Sequence, residues 1–264
     1  MGSRSEGRLG GPELMDIAQS SVFRIFTELG GQFLGHGTAF AYKQVIRSGR
    51  STVYLVTNLH NFSKPMGSFM EILRRAAEGA TDDQLRLRTF VDFHGEKVEV
   101  EKIIACKGAL FSRGYENFQD FAILSLDVPS DEALKMFAIP ETKDVQAGET
   151  AFAFGYPTNT DLGITEGIVS HVYGEHENPD FQWQIQHSIQ INPGNSGGPT
   201  VTSKGVAIGV STWGRLDVNA INFSVNLDHS FSICRRTDLI EEVSISGTYA
   251  RFVSRAREEI KFGS

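Results

Sequence analysis

The sequence predicts an all-β, antiparallel fold, and three observations carry that expectation. β-Branched and aromatic residues cluster in short runs at 22–26, 37–42, 52–57, 97–105, 121–126, 150–154, 167–173, 182–187, 206–210 and 220–225. Gly, Asn and Asp separate the runs, which is the chemistry of tight turns. The runs are not interleaved with helical repeats, so the pattern reads as a barrel or sandwich and not as βαβ units.

Taken in chain order, residues 1–20 carry Gly, Ser, Arg and Pro around a second Met at position 15 and are expected to lie outside the fold, disordered. The domain is expected over 21–235, with the first five runs forming one half (21–135) and the last five the other (136–235). Two segments depart from the strand period. Phe69, Ile72, Leu73 and Ala76 recur at helical spacing and mark a short helical insertion within 67–89. Leu239, Phe252, Val253 and Ile260, set among helix-forming charges, mark a C-terminal helical extension over 236–264.

Composition narrows the function. The 264 residues are 40% hydrophobic and 22% charged, which suits a packed core, and no run of 18 apolar residues suggests a membrane span. No apolar segment like that of a secretory leader lies in the first thirty residues. With 25 basic and 32 acidic residues the net charge is -7, against the basic surface that a nucleic-acid partner needs. Cys106 and Cys234 stand far apart, without the spacing of a disulfide framework or a zinc module. The corresponding expectations are a reducing, cytoplasmic location, no cofactor, no metal and no membrane. His171 and His176 lie five residues apart, which aligns them on neither a strand nor a helix face, so they read as loop histidines.

The chemistry is concentrated in Asn192-Pro193-Gly194-Asn195-Ser196-Gly197-Gly198-Pro199. A Ser between glycines on a tight loop exposes its hydroxyl, and the bare Gly194 lets backbone N–H groups converge beside it, the requirement of an oxyanion hole. A Gly-rich turn with an incidental Ser has the same composition, so partners decide. A Ser hydroxyl attacks a carbonyl only when a base takes its proton and a third group orients that base. His60 follows the apolar run Tyr54-Leu55-Val56-Thr57, and Asp120 precedes Phe121-Ala122-Ile123-Leu124, so each stands at the edge of an expected strand.

These blocks, with Gly35-His36-Gly37-Thr38-Ala39-Phe40, Phe154-Gly155-Tyr156-Pro157 and Glu166-Gly167-Ile168-Val169-Ser170, resemble a trypsin-like (chymotrypsin-fold) serine protease, closest to the HtrA/DegP-type protease domain. The likeness runs from about residue 22 to 233, and no PDZ-like segment is visible. It implies two six-stranded antiparallel β-barrels with the active site between them. It makes Ser196 the nucleophile, His60 the general acid/base and Asp120 the group that sets the His tautomer. The oxyanion hole would be the N–H groups of Gly194 and Ser196. Ser211, Thr212, Trp213 and Gly214 would form the substrate-binding strand, and Gln190 would stand where trypsin has the Asp that attracts basic side chains. Asn195 replaces the Asp that in digestive relatives pairs with a newly cut N-terminus, which points to control by loop ordering or by a regulatory or activating protein. The expected activity is hydrolysis of peptide bonds in polypeptide substrates. Two rivals stand beside it: a catalytically silent binding protein on the same fold, and an esterase, since Gly194-Asn195-Ser196-Gly197-Gly198 also satisfies G-x-S-x-G.

Overall fold

The computed structural model describes residues 8–63, 75, 78–81, 84, 86–100, 102–107, 118–139, 145–178, 181–214, 221–236 and 240–244. The expected helical insertion falls largely outside these residues, as does the chain after 244. Fourteen strands are present among them: β1 (Val22–Leu29), β2 (Gln32–Arg47), β3 (Arg50–Thr57), β4 (Leu87–Phe93), β5 (Glu96–Val100), β6 (Lys102–Lys107), β7 (Phe118–Val128), β8 (Thr150–Gly155), β9 (Gly163–Val172), β10 (Gln184–His187), β11 (Pro199–Thr202), β12 (Ala207–Gly214), β13 (Asn222–Asn226) and β14 (Ile240–Ser244). Three α-helices, α1 (Gly11–Ser21), α2 (His60–Ser63) and α3 (Leu227–Cys234), and a single 3-10 turn at Pro157–Asn159 accompany them among the described residues.

The strands pair antiparallel in two units. The first is an eight-stranded sheet in the order β14-β6-β7-β3-β2-β1-β4-β5, and the second a closed barrel, β10-β13-β12-β11-β8-β9. Three hairpins of the first sheet turn through Gly30-Gly31, Ser48-Gly49 and His94-Gly95, in each of which both residues have positive φ. That is the type I′ turn whose twist matches paired strands. The all-β class is as expected, and the second half closes with six strands. Among the described residues the first half does not close by hydrogen bonds. β14 pairs with β6, Ile240 opposite Cys106 through Ser244 opposite Lys102, and so takes the edge through which β6 would meet β5.

Two expectations about the chain ends are corrected here. Residues 11–20 are not outside the fold: α1 places Leu14 and Ala18, one helical turn apart, in full burial, and Glu13 accepts from the Gly10 N–H (2.6 Å) at its start. The segment after 236 is not helical throughout, since residues 240–244 form β14, where an open sheet edge outweighs helix propensity.

The first core, with Phe23, Ile25, Leu55, Val91, Leu124 and Leu126, fills the curved sheet. A second core joins the two units, bringing Phe40, Val56 and Phe121 against Phe154, Val210 and Leu227, with α1 on its margin. This shared core fixes the first sheet against the barrel and therefore fixes side chains that meet across the cleft. Cys234, on α3, is disulfide-bonded. The sequence spacing had suggested no disulfide, and the ground for expecting a reducing compartment is removed.

Candidate active site

His60 heads a helix instead of ending a strand. β3 stops at Thr57, and Asn61 N and Phe62 N donate to Asn58 O and Leu59 O, winding the chain into α2. Leu59 and Phe62, both buried, hold that turn in the first core. The imidazole Nδ1 lies 2.7 Å from Asp120 Oδ2, and the His60 backbone N–H donates to Asp120 Oδ1 at 2.9 Å. Asp120 comes from β7, the neighbour of β3, and is buried. Asn58 steadies the pair from below, its Nδ2 donating to the Asp120 carbonyl (2.9 Å) and to Thr212 Oγ1 (3.0 Å).

Ser196 comes from the barrel. Asn192 to Asn195 close a turn with Asn195 N donating to Asn192 O at 3.0 Å. Pro193 holds its second position and Gly194 its third with φ +103, the signature of type II geometry. The Pro193 carbonyl accepts from the Thr158 N–H at 2.7 Å. Because the peptide is planar and trans, the Gly194 N–H of the same unit points the opposite way, away from Thr158. The first sheet grips this loop: Thr38 Oγ1 donates to Gly194 O (2.7 Å), and the Ser196 carbonyl accepts from Thr38 N (2.8 Å) and Asn61 Nδ2 (2.9 Å). Asn61 follows His60, so one helical turn carries the imidazole and holds the Ser196 loop. The Ser196 hydroxyl donates to Thr212 O over 3.3 Å.

Hydrogen bonds thus tie His60, Asp120, Thr212, Ser196 and Gly194 together where the first sheet meets the barrel. Trp213 stacks on Phe223 (4.1 Å) beside Phe181, and Gly214 pairs with Asn222. Gln190 is exposed, with its carbonyl held by Thr165 Oγ1 (3.0 Å). Ser211 is not available to a substrate. It is fully buried, its N–H donates to Gly198 O and its carbonyl accepts from Gly197 N, so it anchors the Ser196 loop. His36, Thr38, Asn58 and Asn61 were given no role from sequence. Thr38 and His36 lay in a quoted block, but nothing local in the chain shows that they reach Gly194. The esterase reading is overturned, because Ser196 leads into the strand β11 and a nucleophile elbow must lead into a helix. His171 and His176 both pack against Tyr173 in an aromatic cluster.

Behind the loop a buried polar chain runs through the barrel. His187 Nε2 lies 2.9 Å from Ser224 Oγ, Ser224 2.7 Å from Thr200 Oγ1, and Thr200 3.1 Å from Ser211 Oγ. Burial pushes the His187 pKa from 6.5 down to about 4, with a backbone hydrogen bond at Ile189 opposing in part. The unfolded chain therefore takes up a proton as pH falls through 6.5, while the folded chain does not until about 4. Stability from this group is complete above pH 6.5 and lost between 6.5 and 4, by about 3 kcal/mol. Urea titrations at pH 7 and 4.5 should show the loss in the wild type and a smaller one in His187→Gln; equal losses in the two would assign the acid sensitivity elsewhere.

Residues 37–210 match the family described as trypsin-like peptidase domain. The chain is 26% identical over 230 residues to Protease Do-like 5, chloroplastic, of Arabidopsis thaliana, covering 82% of this chain and 61% of that protein. It is 35% identical over 103 residues to Protease Do-like 1, chloroplastic, of the same plant, covering 38% and 23%. The chain spans less than two thirds of the length of these curated relatives. The crystal structure of Deg5 shares the fold with a TM-score of 0.54 at 24% identity, over 85% of this chain and 94% of that one. With the matched segment containing His60, Asp120 and Ser196, and with HtrA/Deg proteins as its relatives, the chain belongs to the trypsin-like peptidase family.

Proposed function

We propose that the chain is a serine endopeptidase domain that hydrolyses peptide bonds of polypeptide substrates through an acyl-enzyme. The observation that carries this reading is the doubly bonded His60–Asp120 pair facing the Ser196 loop. Asp120 accepts from Nδ1–H, which leaves Nε2 unprotonated and able to take the Ser196 proton. The hydroxyl must leave Thr212 O and turn to Nε2 to be activated. Its oxygen then attacks the scissile carbonyl, and the oxyanion meets the N–H groups of Gly194 and Ser196, each worth about 3 kcal/mol. The imidazolium returns its proton to the departing amine, and water repeats the sequence to release the acid. The resting bond from Ser196 to Thr212 O also fits the silent binding protein, or an enzyme that a partner must switch on. Buried, uncharged Asn195 offers no charge partner to a freed N-terminus, which supports control by the loop itself or by a bound protein.

Intact-mass analysis after incubation with a fluorophosphonate tests the reading. One adduct on the wild type, absent from Ser196→Ala and His60→Ala, is the expected result. No adduct on the wild type, alone or with a protein substrate present, would leave the silent binding protein or an enzyme awaiting its partner, which labelling with candidate partner proteins present separates.

A further inference from the structure

His36 lies outside the catalytic trio, yet its ring reaches the turn that orients the oxyanion hole. It stands on β2, half-buried, with Nε2 3.0 Å from the Tyr156 carbonyl. The same nitrogen accepts from the Asn159 N–H at 2.9 Å. These two backbone groups bracket Pro157 and Thr158, and Thr158 N–H holds the Pro193 carbonyl. Thr158 and Asn159 both have positive φ, 50 and 63, a backbone that non-glycine residues keep only when their surroundings impose it. The ring also lies against Gly194 itself, since a methyl group added there would collide with His36 Nε2 and Tyr156 O. Further out, Arg24 donates to Thr160 O at 2.9 Å and Tyr156 Oη to Val22 O at 3.1 Å, so β1 secures the flanks of the turn while His36 secures its middle.

We infer that His36 is a positioning residue for the oxyanion hole, clamping the Tyr156–Asn159 turn so that Thr158 fixes the Pro193–Gly194 peptide with its N–H turned to the substrate. One nitrogen cannot serve both neighbours at once. As the neutral Nδ1–H tautomer, Nε2 accepts from Asn159 and locks the strained turn. Without that acceptor the Asn159 N–H loses its partner and the left-handed pair relaxes. Thr158 then withdraws from Pro193 O, and the type II peptide, the one that presents the Gly194 N–H, loses its hold.

The inference rests on the serine peptidase reading, and the first step separates the two. Wild type that takes no fluorophosphonate, alone or with candidate partner proteins present, sinks that reading and leaves His36 no hole to position. With labelled wild type in hand, His36→Phe keeps the ring stack on Phe33 but removes the acceptor, and His36→Gln restores an acceptor oxygen. In His36→Phe, kcat on a peptide substrate should fall about 30-fold with KM unchanged, part of the roughly 10²–10³ that losing a hole donor outright costs. Affinity for a peptide aldehyde, whose hemiacetal oxygen occupies the hole, should fall by the same factor. His36→Gln should recover most of both. Wild-type kcat in His36→Phe, or equal losses in Phe and Gln, overturns the inference. Should His36→Phe not fold, hydrogen exchange of the wild type decides, because an Asn159 amide exchanging as fast as an unprotected one excludes the clamp.

Discussion

Replacing Ser196 with Ala should lower kcat for peptide hydrolysis about 10⁶-fold, the loss expected when a catalytic unit is missing its nucleophile. Stability should hardly change. The side chain is half-buried, its hydroxyl makes one long bond to Thr212 O at 3.3 Å, and the loop is held by the Ser196 backbone, which Ala keeps. A change within about 0.5 kcal/mol would move the melting temperature by about 2 °C at most. The comparison therefore separates chemistry from folding in one variant, read by kcat on a peptide ester and by a thermal melt. The Gly194 and Ser196 N–H groups remain in the variant, so a residual acceleration of about 10³ over water should survive. Wild-type kcat in Ser196→Ala would move the nucleophile to another residue and with it the assignment of the cleft.

Much of this site was legible because it is local in the chain. The loop at 192–199 writes its own turn, Pro then Gly at the two central positions, and Gly194 takes the positive φ that only such a residue adopts freely. His60 and Asp120 were marked by the apolar runs beside them, although the first proved to head a helix. What escaped is what depends on distant partners. Residues 240–244 contain two Glu and read as helix, yet the free edge of β6 draws them into a strand 130 residues and more from that partner. Leu14 and Ala18 were hidden by their Gly and Pro surroundings, and only the second core gives them somewhere to pack. Ser211 reads as part of a substrate strand because it stands in one run with Thr212, Trp213 and Gly214. Its backbone is consumed by Gly197 and Gly198, a pairing that sequence spacing does not reveal. His36 is the same case at the scale of one atom: its partners lie 120 and 123 residues away.

Asp120 stands on the first sheet, His60 on the helix that follows β3, and Ser196 on the barrel, so the proposed mechanism turns on the orientation of one imidazole. Asp120→Asn should therefore leave the fold intact and lower kcat about 10⁴-fold, or about 5 kcal/mol of transition-state stabilisation. Both carboxylate oxygens are engaged by the same residue, Oδ1 by the His60 backbone N–H and Oδ2 by Nδ1. An amide has only one oxygen to offer. If that oxygen stays with the backbone N–H, the NH₂ faces Nδ1 and donates to it, so the ring proton moves to Nε2. A protonated Nε2 cannot accept from Ser196, and the base is lost while every heavy atom keeps its place. The reverse orientation sets NH₂ against a backbone N–H in a buried site, two donors with no acceptor, which costs more. The tautomer error therefore wins. KM should stay near the wild-type value, because the substrate strand at Trp213 and Gly214 is untouched, and the melt should match that of Ser196→Ala. Turnover within tenfold of wild type would show that another acceptor sets the His60 tautomer. Asp127 is not that acceptor, because it lies seven residues further along β7, opposite Thr52, whose Oγ1 donates to its carboxylate at 2.7 Å.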